Sequence, residues 1–229
     1  MNNIFIVCGG GCNEGFLQPV ADKMKDLFRC HVHAPTGFTE DVMLSNLKND
    51  LVLFNSLKEE GSKTFILAHC LGGALAIKLL ADDPQLEVDG LILVNSAPGY
   101  YFMTPESLQA SGESIESYAD FPEVQQILLN CREVDKMQPQ SALAMTLDYR
   151  EEAKKCPVPT LQIAGDCDGM IPNSVTEEFD ACLPNNVLKI ATGGRHFFVL
   201  TNLDFVCELV TSWIDTMTSP SKAQKYKII

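Results

Sequence analysis

The chain is poor in basic residues. Seventeen Lys and Arg stand against 30 Asp and Glu, a formal net charge of −13, and there are only four His. That balance argues against a nucleic-acid partner and against an anionic membrane surface, because both need a positive face. Five basic residues do crowd one stretch, Arg132, Lys136, Arg150, Lys154 and Lys155. They alternate with Glu133, Asp135, Asp148, Glu151 and Glu152, so the stretch reads as a mixed-charge solvated helix face. No apolar run approaches the ~20 residues that span a bilayer, so no membrane segment is expected. The opening Met1-Asn2-Asn3-Ile4 has neither a basic region nor a cleavage site, so no signal peptide is expected either. The nine Cys are odd in number and scattered, with no Cys-x-x-Cys. This excludes a disulfide framework and points to a reducing, cytoplasmic compartment. Cys8 with Cys12, or Cys167 with Asp168, has no second half of a metal site, so no metal and no cofactor is expected. Internal repeats and low-complexity segments are absent.

What is present is an alternation of short apolar runs and amphipathic stripes over 229 residues, enough for one large core. Strands are predicted at Asn3 to Cys8, Cys30 to Ala34, Thr64 to Leu67, Gly90 to Asn95, Thr160 to Ala164 and Val187 to Ile190. Helix stripes run through Phe16, Leu17, Val20, Met24, Leu27 and Phe28, through Leu44 to Leu57, and through Leu203 to Met217. Strand–helix alternation predicts one α/β domain, a mostly parallel sheet of about six strands covered on both faces. The rhythm breaks at about 98–155, which predicts a helical lid insertion with helical pieces at Ser114 to Cys131 and Pro139 to Lys155. The tail 219–229 is expected to be weakly ordered.

Ala68-His69-Cys70-Leu71-Gly72-Gly73 joins a predicted strand to a small-residue apolar helix. Small, x, nucleophile, x, Gly is the pattern of a strand-to-helix elbow, with Cys where Ser usually stands. Small residues let the two backbones approach, and the nucleophile sits at a helix N-terminus that favours a thiolate. Cys70 is therefore the candidate nucleophile and should be alkylated first of the nine thiols. Cys8, Cys30 and Cys207 are expected to be buried, and Cys12 and Cys167 to lie on loops near the site. After the last predicted strand, Gly193-Gly194-Arg195-His196 offers a base, His196. After the preceding strand, Gly165-Asp166-Cys167-Asp168-Gly169 offers a carboxylate, Asp168 or Asp166. Acyl transfer also needs two donors for the developing oxyanion, each worth about 3–4 kcal/mol. The Leu71 amide and the Gly9-Gly10-Gly11 loop, Gly10 foremost, are placed to supply them. The apolar side chains of the insertion, Tyr100, Tyr101, Phe102, Met103, Phe121 and Leu143 among them, are candidates for an acyl pocket.

The order nucleophile, acid, base resembles the α/β-hydrolase fold. The chain is similar, over nearly its whole length, to compact carboxylesterases of the pimeloyl-carrier-protein methyl esterase kind and to type II thioesterases. The likeness is best at Cys8 to Phe16, His69 to Ala76, Asp168 to Pro172 and His196 to Leu209. It implies Cys70 as nucleophile, His196 as base and Asp168 as acid, four residues before Pro172, with oxyanion donors at Gly10 and Leu71. Two positions depart from the family pattern: Ala68 replaces the usual Gly, and Cys70 replaces Ser. The implied activity is hydrolysis of an acyl ester or a carrier-bound thioester, with no cofactor. The alternative is an acyltransferase or cyclase that hands the acyl group to another nucleophile. The implied partner is a small-molecule acyl substrate, presented or not by an acyl carrier protein.

Overall fold

The computed structural model describes residues 1–104, 106–107 and 113–219. The expectation for the tail falls almost wholly outside them. Six apolar runs form parallel strands: β1 (Asn3–Val7), β2 (Arg29–His33), β3 (Thr64–His69), β4 (Gly90–Val94), β5 (Thr160–Gly165) and β6 (Asn186–Ala191). They lie in the order β2-β1-β3-β4-β5-β6. β1, β3, β4 and β5 are buried along their whole length, which is why their sequences read as continuous apolar runs rather than alternations.

Successive residues serve opposite faces. Ile4 and Ile6 of β1 join one core cluster with Val20, Val206 and Trp213, whereas Phe5 and Val7 join the other with Leu47, Leu75 and Phe179. The first face is covered by α1 (Gln18–Met24) and by the long C-terminal helix Leu203–Thr218. The second is covered by α2 (Glu40–Ser56), α3 (Leu71–Asp82) and the helix Asn173–Cys182. This three-layer architecture is the α/β-hydrolase fold. Strand order reverses between β1 and β3, so their carboxyl ends part at a topological switch point, the usual place for a ligand crevice in such sheets.

Between β4 and β5 the chain makes a 3-10 turn, Glu116–Tyr118, then α4 (Pro122–Cys131), α5 (Val134–Ala144) and α6 (Arg150–Ala153). The segment leaves and returns at one point, where Gly99 bridges Asp148 and the Tyr149 amide donates to the Pro98 carbonyl at 2.6 Å. α5 begins five residues before the sequence expectation and carries Pro139 inside it. Its start is set by Glu133, whose amide bonds the Gly11 carbonyl at 2.8 Å and whose own carbonyl accepts from Met137. Leu27, predicted on a buried stripe, is 58 % exposed because α1 stops at Met24 and a turn follows.

Candidate active site

The β3–α3 junction is strained. Cys70 caps α3 at φ 54°, ψ −127°, a region that side chains rarely occupy. Its carbonyl is held from both sides, by Ser96 Oγ at 2.8 Å and the Gly73 amide at 3.0 Å. The turn is possible because Gly72 has no side chain: a Cβ there would lie 2.5 Å from the Cys8 carbonyl oxygen. The elbow therefore needs a small residue at this position, and the strain lifts the Cys70 thiol out of the sheet into a cavity.

Beside it sit the ends of β5 and β6. His196 lies beside the Cys70 thiol in the same cavity wall, its ring nitrogen within 4.8 Å of the sulfur. Its Nδ1 lies 2.9 Å and 3.1 Å from the two oxygens of Asp168. Asp168 is itself fixed by the amides of Met170 (2.7 Å) and Ile171 (2.9 Å), and by Asn95 Nδ2 (2.6 Å). Asn95, at the end of β4 with φ 43°, also holds the Arg195 carbonyl at 3.0 Å. Asp166 instead receives the Gly193 amide at 2.6 Å and braces the glycine loop. Sequence reasoning missed Asn95; a polar residue closing an apolar strand was the available signal.

Burial alone would raise the Cys70 thiol. The His196 charge and hydrogen bond, the Tyr100 hydroxyl and the Leu71 amide outweigh it, so the thiol lies below its ordinary value. Burial likewise opposes a charged His196, but Asp168 and Cys70 raise it well above the usual range. Burial raises Asp168, and His196 with the two amides brings it below the usual carboxylate value. The other eight thiols are all raised, mainly by burial except at Cys167, where the hydrogen bond that its thiol donates to the Asp166 carboxylate leads. Cys8 and Cys207 are buried, Cys30 is partly exposed, Cys12 is buried in the cavity wall and Cys167 is exposed on its loop.

Gly10 and Leu71 face the same cavity. The Leu71 amide helps to lower the Cys70 thiol. The loop carrying Gly10 is held by Gln140 of α5, buried and fully engaged: its Oε1 accepts from Gly11 N at 2.7 Å and its Nε2 donates to the Pro35 and Gly37 carbonyls at 3.0 and 3.1 Å. The cavity, about 220 Å³, is closed by Tyr100, Met103, Met137, Met145, Met170 and Phe197. Tyr100 directs its hydroxyl to the Cys70 sulfur at 3.2 Å.

Four residues expected in the acyl pocket lie elsewhere. Tyr101 bonds Glu178 at 2.8 Å and lies under the Arg150 guanidinium. Phe102 and Leu143 pack onto the second core cluster. Phe121 is 44 % exposed at the start of α4. Arg132, read from sequence as part of a solvated face, lines the cavity and forms no ion pair among the described residues. Glu113, also in the wall, is buried and holds Arg195 at 3.2 Å and the Gly169 amide at 3.2 Å.

No family model matches the chain. It is 24 % identical over 242 residues to the pimeloyl-(acyl-carrier protein) methyl ester esterase of Aliivibrio salmonicida, covering 91 % of this chain and 90 % of that protein. A lipase-esterase related protein from Clostridium acetobutylicum superposes with a TM-score of 0.78 at 16 % identity, over 92 % of this chain and 93 % of the other. An esterase from Exiguobacterium antarcticum superposes with a TM-score of 0.74 at 17 % identity, over 94 % and 92 %. With a six-stranded parallel sheet and helices on both faces, the chain has the α/β-hydrolase fold, and its similarity to esterases in sequence and in structure makes it an enzyme of that fold.

Proposed function

We propose that the protein is an esterase or thioesterase that works through an acyl-Cys70 intermediate. The observation that carries this reading is the placing of Cys70 beside His196, itself hydrogen-bonded to Asp168, at the floor of a largely apolar cavity. In this reading Cys70, as thiolate, attacks the acyl carbonyl and forms the carbon–sulfur bond. The developing oxyanion takes the amides of Leu71 and Gly10. His196, charged, gives its proton to the leaving alkoxide or thiolate, and the first product departs. Neutral His196 then takes a proton from water, the hydroxide attacks the thioester, and Cys70 leaves as thiolate with His196 charged again. Asp168 keeps the imidazole in the tautomer that serves both steps.

The cavity suits an acyl chain. Four Met side chains line it, and unbranched thioethers adapt to chains of differing shape. Arg132 adds to the wall a cation with no ion pair among the described residues, a partner for an anionic group on the acyl chain or its carrier. The relatives are named for the methyl ester of a carrier-bound pimeloyl chain, which fits an acyl substrate presented by a carrier protein. Intact-mass spectrometry with acyl esters and acyl thioesters tests the reading. A transient acyl adduct followed by free acid is expected, absent in Cys70→Ala and accumulating without breakdown in variants of His196 that still acylate. An adduct released only on adding an amine or alcohol would identify an acyltransferase instead. Near-wild-type turnover in Cys70→Ala would overturn the assignment.

A further inference from the structure

We propose that His69, Cys70 and His196 form a binding site for a thiophilic divalent cation of the Zn²⁺ class, with the fourth coordination position open to the cavity. The three residues each offer a ligand atom, and these atoms lie within 4.8 Å of one another. Ligands at the usual Zn–N and Zn–S lengths stand about 3.3–3.8 Å apart in a tetrahedron. Small side-chain rotations therefore close the set.

The second observation is His69 itself. It is buried, and its Nδ1 has no hydrogen-bond partner among the described residues. Its Nε2 lies 3.1 Å from the His196 carbonyl, so the ring donates there and leaves the Nδ1 lone pair free. A Cβ built on Gly9 would stand 3.2 Å from His69 Nδ1 and 3.6 Å from the Cys70 sulfur. Both atoms thus border one small space, kept open because residue 9 has no side chain. The outer bonds fit a metal site as well. Metal-bound imidazoles donate their second N–H to a carbonyl or carboxylate. His69 has the His196 carbonyl, and His196 has Asp168. A serine at position 70 would offer a harder, protonated donor; the thiolate supplies the soft ligand that Zn²⁺ prefers.

Binding would displace the proton shared by Cys70 and His196 and occupy the lone pair that accepts it. Metal and substrate then exclude each other, and the cation acts as a reversible inhibitor. The ligand set joins residues 69 and 70 to residue 196, which is why no sequence motif announces it.

The test uses the full, metal-free chain and Zn²⁺ or Co²⁺ alone. One equivalent of Zn²⁺ is expected to protect Cys70 from iodoacetamide, with chelator restoring labelling. Co²⁺ should give a near-ultraviolet thiolate charge-transfer band and intense visible bands of a four-coordinate site. His69→Ala should weaken protection at least tenfold while Cys70 still labels without metal, which shows an intact elbow. Cys70→Ala should abolish the charge-transfer band. Equal protection in His69→Ala and wild type, or a Co²⁺ band that survives Cys70→Ala, would overturn the site. None of these readouts depends on ester turnover, so failure here is separable from failure of the hydrolase reading.

Discussion

A thiol enclosed by protein would stay protonated unless charge and hydrogen bonds offset the loss of water. At Cys70 the offset comes from His196, Tyr100 and Leu71. Because the thiol is lowered, its reactive form appears as pH rises through a value below the ordinary 9.0. Alkylation of Cys70 should therefore rise with pH earlier than for any other thiol in the chain. Tyr100→Phe removes the bond to sulfur at little cost in volume. A hydrogen bond to a charged group contributes about 1.5–3 kcal/mol, so alkylation at neutral pH should slow by about tenfold or more and its pH profile should move upward. An unchanged iodoacetamide pH profile would show that the hydroxyl does not stabilise the thiolate. Arg132 is the second residue to test, because it alone puts an unpaired cation into the cavity wall among the described residues. Arg132→Gln should lower kcat/KM about tenfold for an acyl ester ending in a carboxylate, and leave the matching methyl-capped ester unchanged. Equal losses on both substrates would make Arg132 a structural residue.

The elements divide by how local their logic is. The elbow was legible because Ala68, Gly72 and Gly73 must be small where strand and helix backbones meet. The loops ending β5 and β6 were legible because Asp168 and His196 follow apolar strands within Gly-bearing turns. The walls of the cavity were not. Among the described residues, 98–155 have no single period: a 3-10 turn gives way to α4, α5 with its internal Pro, and α6, while Tyr100 faces inward and Tyr101 outward. Gln140 was invisible for the same reason, being one polar residue on a helix of near-even polarity whose partners lie more than 100 residues away. Yet it joins α5 to the loop that carries Gly10. Gln140→Leu leaves the buried Gly11 amide and the Pro35 carbonyl without partners, a loss of about 1–3 kcal/mol for each such group. Expected are a lower Tm and, on the proposed role of the Gly10 amide at the oxyanion, a drop in kcat of tenfold or more with a modest change in KM. A fall in Tm with kcat intact would separate folding from oxyanion stabilisation.

At the scale of the molecule, charge decides how a substrate arrives. The net charge is −13, and the basic stretch found in the sequence does not relieve it. Lys136 pairs with Glu133, Lys154 with Glu151, and Arg150 with Asp148 and Glu178. The two lysine pairs are close to neutral at a distance and the Arg150 group is net negative, so residues 132–155 present little positive surface beyond Arg132 and Lys155. An acidic carrier protein must then approach against a like-charged field. Such repulsion is screened as the Debye length falls from roughly 20 Å near 0.02 M salt to about 8 Å at 0.15 M. For an acyl chain on an acidic carrier, kcat/KM should rise several-fold over that range, because encounter is the step that feels the long-range field. A neutral acyl ester of the same chain length should show no such rise, since it carries no charge to repel. The comparison isolates association from chemistry, which both substrates share on the proposed mechanism. A carrier substrate whose kcat/KM instead fell with salt would place its docking on a local positive patch, and Arg132 with Lys155 would be the first residues to neutralise.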